Sequence, residues 1–185
     1  MREYRVQFYM KDIMGREIEG ESEKLTIDSD KMVHREELVL INFNFAGTTA
    51  KSEYIESRIE NVAREILKRA EEPIKKMHVE IGGHTDVIGM YDANMELSEE
   101  RAITELGHLK SFLIKYLEIS DDAALDKWLA DRNISLSAKG YGPQVPYEIN
   151  VWQKGYIKTL KLGDNETPEG RILNRRVSAK IDVEM

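Results

Sequence analysis

The most constraining feature of this chain is a change in the spacing of its apolar residues that begins at Leu38. "LVLINFNF" (38–45) is a run of strand-forming residues whose far end places Asn42 and Asn44 on one face. Between 52 and 71 the pattern becomes helical: Ile55, Ile59, Val62, Ala63, Ile66 and Ala70 share a face, and Pro73 ends it. "MHVEIGG" (77–83) returns to a period of two, with Met77, Val79 and Ile81 on one side. Ala102, Leu106, Leu109, Leu113 and Leu117 predict a second helix over 98–117, and "ISLSAKG" (134–140) and "VSAKIDVE" (177–184) alternate again. The order β-α-β-α-β, a long connection and a last β predicts an α/β fold, with helices packed on one face of a mixed parallel/antiparallel sheet.

Other segments flank or interrupt this scheme. "YRVQFYMK", the turn "DIMGRE" and "EKLTI" predict a β-hairpin within residues 1–30. A lone hairpin is marginal in water, so it should either pack on something or be the remnant of an upstream β module, of immunoglobulin-like or similar type. The charged stretch "DSDKMVHREE" predicts a linker, set at 31–37, and 38–185 forms the main domain. Within it, 118–133 predicts a short extra helix carrying Leu125, Trp128 and Leu129, and 147–163 an extra hairpin turning near Lys154 and Gly155. A length of 185 residues with 41% hydrophobic content suits one domain plus an appendage.

A net charge of −7 argues against a nucleic-acid groove and against docking on an anionic membrane. No apolar window of about 18 residues is present, so no transmembrane helix is expected. The first residues, "MREYRVQFYMKD", lack a signal-peptide core, which predicts either a cytoplasmic protein or the mature part of an exported one. The absence of cysteine excludes disulfides and thiolate chemistry.

Most catalytic patterns fail on spacing. His78 and His84 lie six apart on one strand face, which does not make a metal site, and no cofactor is expected. "HTD" has no serine in a nucleophile elbow, and Gly82, Gly83 and Gly89 lack the dinucleotide fingerprint. The acids Asp86, Asp92 and Glu96 read as solvated groups rather than a glycosidase pair. What stands out is Asp86 with Arg101. Ser98 reads as a helix cap followed by Glu99 and Glu100, which puts Arg101 at the third helical position, against the helix dipole, at a cost of about 0.3–1 kcal/mol. Asp86, after the Gly-Gly end of a strand, and Arg101 would then converge at the carboxyl edge of the sheet. Two readings remain at this point: a salt bridge joining loop to helix, or a site for a zwitterion, with Asp86 on an ammonium and Arg101 on a carboxylate.

"GGHTDVIGMYDANMELSEERA" (82–102), "KGYGPQVP" (139–146) and "TPEGRILNRRVSAKI" (167–181), in that order, resemble the OmpA-like C-terminal domain. That family includes outer-membrane protein A, the peptidoglycan-associated lipoprotein and flagellar stator proteins, and the likeness covers roughly 38–185. The resemblance implies an α/β sandwich that binds the diaminopimelate of the peptidoglycan stem peptide without covalent chemistry. It implies that Asp86 and Arg101 clasp the zwitterionic end of that residue and that Asn94 and Arg175 line the pocket. Arg175 shares strand parity with Val177 and Ala179, which predicts an inward side chain. Where the family often carries an Asp in its first strand this chain has Asn44, in Phe43-Asn44-Phe45-Ala46, and Ile88 stands where a small polar residue is common. The resemblance therefore predicts a periplasmic, outer-membrane-associated binding module rather than an enzyme, with no membrane insertion of its own and a homodimer left open. An interaction or oligomerisation domain with a degenerate pocket is the alternative, and a wall-degrading enzyme the third.

Overall fold

A computed structural model of the chain describes the backbone of residues 2–4, 7–11, 17–21, 25–27, 33–42, 53–153 and 156–185, and the side chains of 57–151 and 156–185. The first strands, β1 (Arg2–Tyr4), β2 (Gln7–Lys11), β3 (Glu17–Glu21) and β4 (Leu25–Ile27), form two antiparallel ladders, β2 with β3 and β1 with β4. A hairpin is present, but its return arm is not the expected "EKLTI": β3 starts at Glu17, the last residue of the stretch read as a turn, and β4, within EKLTI, pairs with β1 instead. β5 (Val33–Asn42) corrects the linker: residues 33–37 are strand, not connection. Their charge misled because β5 lies at the edge of a sheet, where charged residues are common, and its pairing with β10 is made by the backbone.

The chain continues through α1 (Glu53–Ala70), β6 (Lys76–His84), α2 (Tyr91–Leu117), α3 (Asp122–Ala130) and β7 (Ile134–Gly142). It ends with β8 (Glu148–Gln153), β9 (Tyr156–Lys161), α4 (Pro168–Asn174) and β10 (Arg176–Glu184). The main sheet has the order β5-β10-β6-β7, antiparallel on both sides of β10 and parallel between β6 and β7. This is the mixed α/β architecture that the resemblance implies. Met77, Val79 and Ile81 of β6 and Val177, Ala179, Ile181 and Val183 of β10 are fully buried in one cluster with residues of α1, α2 and α3. The period-two stripes thus face the period-3.6 stripes, which removes both from water. The short extra helix, α3, is capped by Asp121, whose carboxylate accepts from the Ala124 amide at 2.9 Å, and buries Leu125 and Leu129. The expected extra hairpin is β8–β9, whose turn residues Lys154 and Gly155 lie outside the described residues.

The largest departure is α2, which starts at Tyr91 rather than Ser98. From Tyr91 to Arg101 the chain has no proline or glycine, so nothing stops the helix from extending back toward the strand. Ser98 is not a cap but a buried interior residue. Its hydroxyl donates to the Met95 carbonyl at 2.7 Å and accepts from the Gly142 amide at 2.9 Å. A serine followed by two acids imitates a helix start, and here its hydroxyl bonds across to β7 instead. Arg101 consequently lies about three turns into the helix, so the dipole argument for its oddity falls.

Helix α2 rests directly on backbone where β6 and β7 reach their ends. A Cβ at Gly83 would lie 1.8 Å from the Ser98 carbonyl oxygen, and one at Gly140 2.7 Å from the Glu99 nitrogen. Gly83→Ala is expected to force helix and sheet apart and to cost about 1–3 kcal/mol. Gly107→Ala, on the same helix with open space around it, should instead add about 0.5–1 kcal/mol. Urea unfolding of the two variants measures both; equal midpoints would show that the close approach carries no weight.

Candidate functional site

The buried stripe of α2 changes character along its length. Ala102, Leu109 and Leu113 sit in the hydrophobic core, whereas Asn94, Ser98, Arg101 and Glu105 are buried and polar. The polar half lies against the ends of β6 and β7, and buried polar groups need partners there. β6 ends at His84; the Thr85 amide still reaches the Gly142 carbonyl at 2.9 Å, and Asp86 follows immediately.

Asp86 is 2% exposed. Its Oδ1 accepts from the Ile88 amide at 2.9 Å, closing a local turn, and its Oδ2 pairs with Arg175 Nη1 at 2.5 Å. Gly89 then takes φ 105°, a left-handed conformation that suits glycine, and Met90 is extended before α2 begins. Asn94, in the first turn of α2, donates its side-chain amide to the Asp86 carbonyl at 3.3 Å and the Ile88 carbonyl at 3.1 Å. It braces the turn that presents Asp86. Arg101 is 1% exposed and donates from Nη1 to the His84 carbonyl at 3.3 Å.

The structure therefore brings Asp86, Arg101, Asn94 and Arg175 together, from strand end, helix and C-terminal segment, while Asn44 and Ala46 lie outside the described residues. Two details differ from expectation. The salt bridge of Asp86 is to Arg175, 89 residues away, rather than to Arg101. Arg175 is not a strand residue pointing inward by parity: it caps the C-terminus of α4, and β10 begins one residue later. The strand alternation starts at Arg176, so parity did not apply to its neighbour.

Helix α4, which apolar spacing does not predict, places that arginine. Thr167 caps it, accepting from the Gly170 amide at 3.1 Å, and Pro168 fills the first turn. The Thr-Pro-Glu signal was present in the sequence, but seven residues carry no apolar period. Asn174, 1% exposed, ends the helix by donating to the Gly163 carbonyl at 2.9 Å and accepting from the Tyr147 amide at 2.8 Å. Arg176 is also buried; it donates to the Val145 carbonyl at 3.4 Å and lies over the Tyr147 ring at 5.1 Å. Two adjacent arginines in "NRRV" were the only clue to it.

Charges in this setting perturb one another. Burial first, and the positive charge of Arg175 second, lower Arg101 to about 10, with Asp86 and Glu100 opposing. A guanidinium under such strain still carries its charge at neutral pH and gains from an arriving carboxylate. His84 is held to about 3 by burial and then by Arg176, with the Val145 backbone opposing, so it is neutral in the folded protein. Its ring stacks on Tyr141 and its Nε2 meets Ser178 Oγ at 3.3 Å. His78, on the same strand face, bonds Ser135 and Ser137, and no metal-holding cluster exists among the described residues.

No family model matches the chain, and no curated protein matches it. Among solved structures it is similar to the periplasmic domain of Helicobacter pylori MotB, at 20% identity and a TM-score of 0.45, covering 84% of this chain and 85% of that one. It is also similar to the peptidoglycan-associated lipoprotein from Burkholderia pseudomallei, at 16% identity and TM-score 0.45, covering 78% and 86%. A third is the cell wall anchor of the T6SS from Pseudomonas aeruginosa, at 20% identity and TM-score 0.47, covering 82% and 87%.

The neutral state of His84 gives a pH prediction. Below about pH 6.5 the unfolded chain binds a proton at this position that the folded protein refuses down to about pH 3, so stability falls on acidification through that window. Between pH 6.5 and 5 the loss from this residue is about 2 kcal/mol. His84→Gln should remove that share of the slope in urea unfolding at the two pH values; an unchanged slope would assign the loss to other groups.

Proposed function

We propose that this chain is a peptidoglycan-binding domain of OmpA-like type, which holds the diaminopimelate of the stem peptide non-covalently. The observation that carries this reading is the convergence of one buried carboxylate and two guanidiniums, from three separate segments, at the end of β6. A zwitterionic amino-acid centre matches that set. Its carboxylate would meet Arg101 and Arg175, and its ammonium would meet Asp86. A carboxylate has about four lone-pair positions, and Arg175 and the Ile88 amide take two of those on Asp86. Asn94 would act mainly by fixing the turn, and Asn44 is assigned on the sequence motif alone.

Charge-assisted hydrogen bonds in a desolvated site supply affinity without any bond being made or broken, so binding rather than catalysis is proposed. Asp86, with a guanidinium on one oxygen and an amide on the other, is arranged as an acceptor. In the cell this domain would work in the periplasm, tethering an outer-membrane protein or lipoprotein to the wall. No helix among the described residues is long and apolar enough to cross a membrane.

The test uses Asp86→Asn, which keeps an acceptor for the Ile88 amide, and Arg101→Lys, which keeps the charge and loses the fork. Both should lose retention on purified sacculi while remaining folded. Free diaminopimelate at about 100 times its Kd should stabilise the natural protein by about 2.7 kcal/mol in a thermal-shift assay. No shift and no retention of the natural protein would move the reading to an interaction domain with a degenerate pocket, and retention that survives both substitutions would overturn the role of Asp86 and Arg101. Soluble muropeptides released from sacculi would instead reveal an enzyme.

A further inference from the structure

The β8–β9 hairpin forms a two-stranded sheet of its own, separate from the main sheet. Isolated hairpins are marginal in water, yet Tyr156 and Ile157, at the start of β9, are 54% and 64% exposed. Its residues pair Val151 with Lys158 on one face and Glu148 with Lys161 on the other, and Asn150 and Thr159 are joined by a 2.8 Å hydrogen bond. Over 147–163 the chain has three lysines and one glutamate, within a protein of net charge −7. A basic arm with exposed aromatic and aliphatic side chains on an acidic body calls for an anionic partner that also offers apolar surface.

The base of this arm is locked to the binding site. The Leu162 and Gly163 amides both donate to the Tyr147 carbonyl, at 2.9 and 2.8 Å, which closes the hairpin neck. Asn174 grips the neck from both strands, through the Tyr147 amide and the Gly163 carbonyl. Arg176 lies over the Tyr147 ring. Asn174 and Arg176 flank Arg175, so the residue on Asp86 and the residues holding the arm are consecutive. Six-residue strands extend about 20 Å from that neck.

We propose that the hairpin is a second contact for the same wall polymer, engaging the stretch of anionic glycopeptide beyond the stem-peptide residue seated at Asp86 and Arg101. The arm inserts within the polymer, so that Lys158 with Tyr156 on one face and Lys161 with Ile157 on the other each meet its carboxylates and less polar surface. This rests on the peptidoglycan reading above. An anionic membrane is the competing partner by charge, but an arm rooted beside a site that faces the wall is disposed toward the wall. The consequence is a division of labour: a free diaminopimelate feels only the buried site, whereas a polymer feels both.

The test compares the full chain with K158E/K161E and with Y156S/I157S, all four positions being exposed and outside the buried site. Three readouts are taken: the thermal shift with free diaminopimelate, retention on sacculi at about 0.05 M and about 0.3 M salt, and flotation with phosphatidylglycerol vesicles. Both variants should keep the diaminopimelate shift and bind sacculi about tenfold more weakly, with K158E/K161E also losing salt sensitivity. Sacculus binding equal to that of the natural sequence, alongside an intact diaminopimelate shift, overturns the arm's role and leaves the site reading standing. Vesicle binding that the variants abolish overturns it in favour of a membrane. A natural protein with neither shift nor retention overturns both readings together.

Discussion

Everything at the functional end of this molecule depends on how closely α2 lies against the ends of β6 and β7. Two glycines without side chains, Gly83 and Gly140, let the helix backbone reach the sheet, and the Ser98 hydroxyl bridges from the Met95 carbonyl to the Gly142 amide. A helix one side-chain layer further away would leave the Arg101 guanidinium short of the His84 carbonyl. At the closest point only a small side chain fits between helix and strands, and Ser98 fills it with a hydroxyl that bonds backbone on both sides. The site is thus a by-product of close packing as much as of the charged residues themselves.

That arrangement separates the duties of residues that a motif groups together. Asn94 and Asn174 both spend their amides on carbonyls of neighbouring turns, so they hold shape. Asp86, Arg101 and Arg175 carry the charge at this end of the sheet. Leaving one of these charges without its partner in a buried setting is expensive, which ties the integrity of the site to that of the fold. His84 stays neutral on the far face of β6, stacked on Tyr141, and adds no further positive charge to a region already rich in guanidinium.

The sheet core was legible in the sequence because burial there is periodic. Met77, Val79 and Ile81, and the alternation from Val177 to Val183, appear in the structure as read, as does the stripe through Leu109 and Leu113. What failed were boundaries decided by tertiary contacts. Ser98 has the local chemistry of a cap and the global role of a bridge, and only the position of β7 distinguishes the two. Residues 33–37 look like a linker until β10 pairs with them. The motif brings Asp86 and Arg101 to notice, but the salt bridge from Asp86 to Arg175 spans 89 positions, and no local pattern encodes such a pairing. Arg176 and Asn174 are buried polar residues outside any apolar period and give no signal of their own, and the spacing of His84 from His78 speaks only to metal binding.

The place of β10 in the sheet bears on the order in which the molecule can assemble. It lies between β5 and β6 and is the last of the described strands in the chain, so those two earlier strands have no common neighbour until it arrives. An emerging polypeptide that has made both of its long helices still has a gap at the centre of its sheet. The segment that fills the gap also brings Arg175 to Asp86, so closure of the sheet and completion of the charged site are one event. A chain caught before that step would lack the Val177–Val183 stripe from its core and would have only part of the charged site. The charged cluster is therefore complete only in a finished fold.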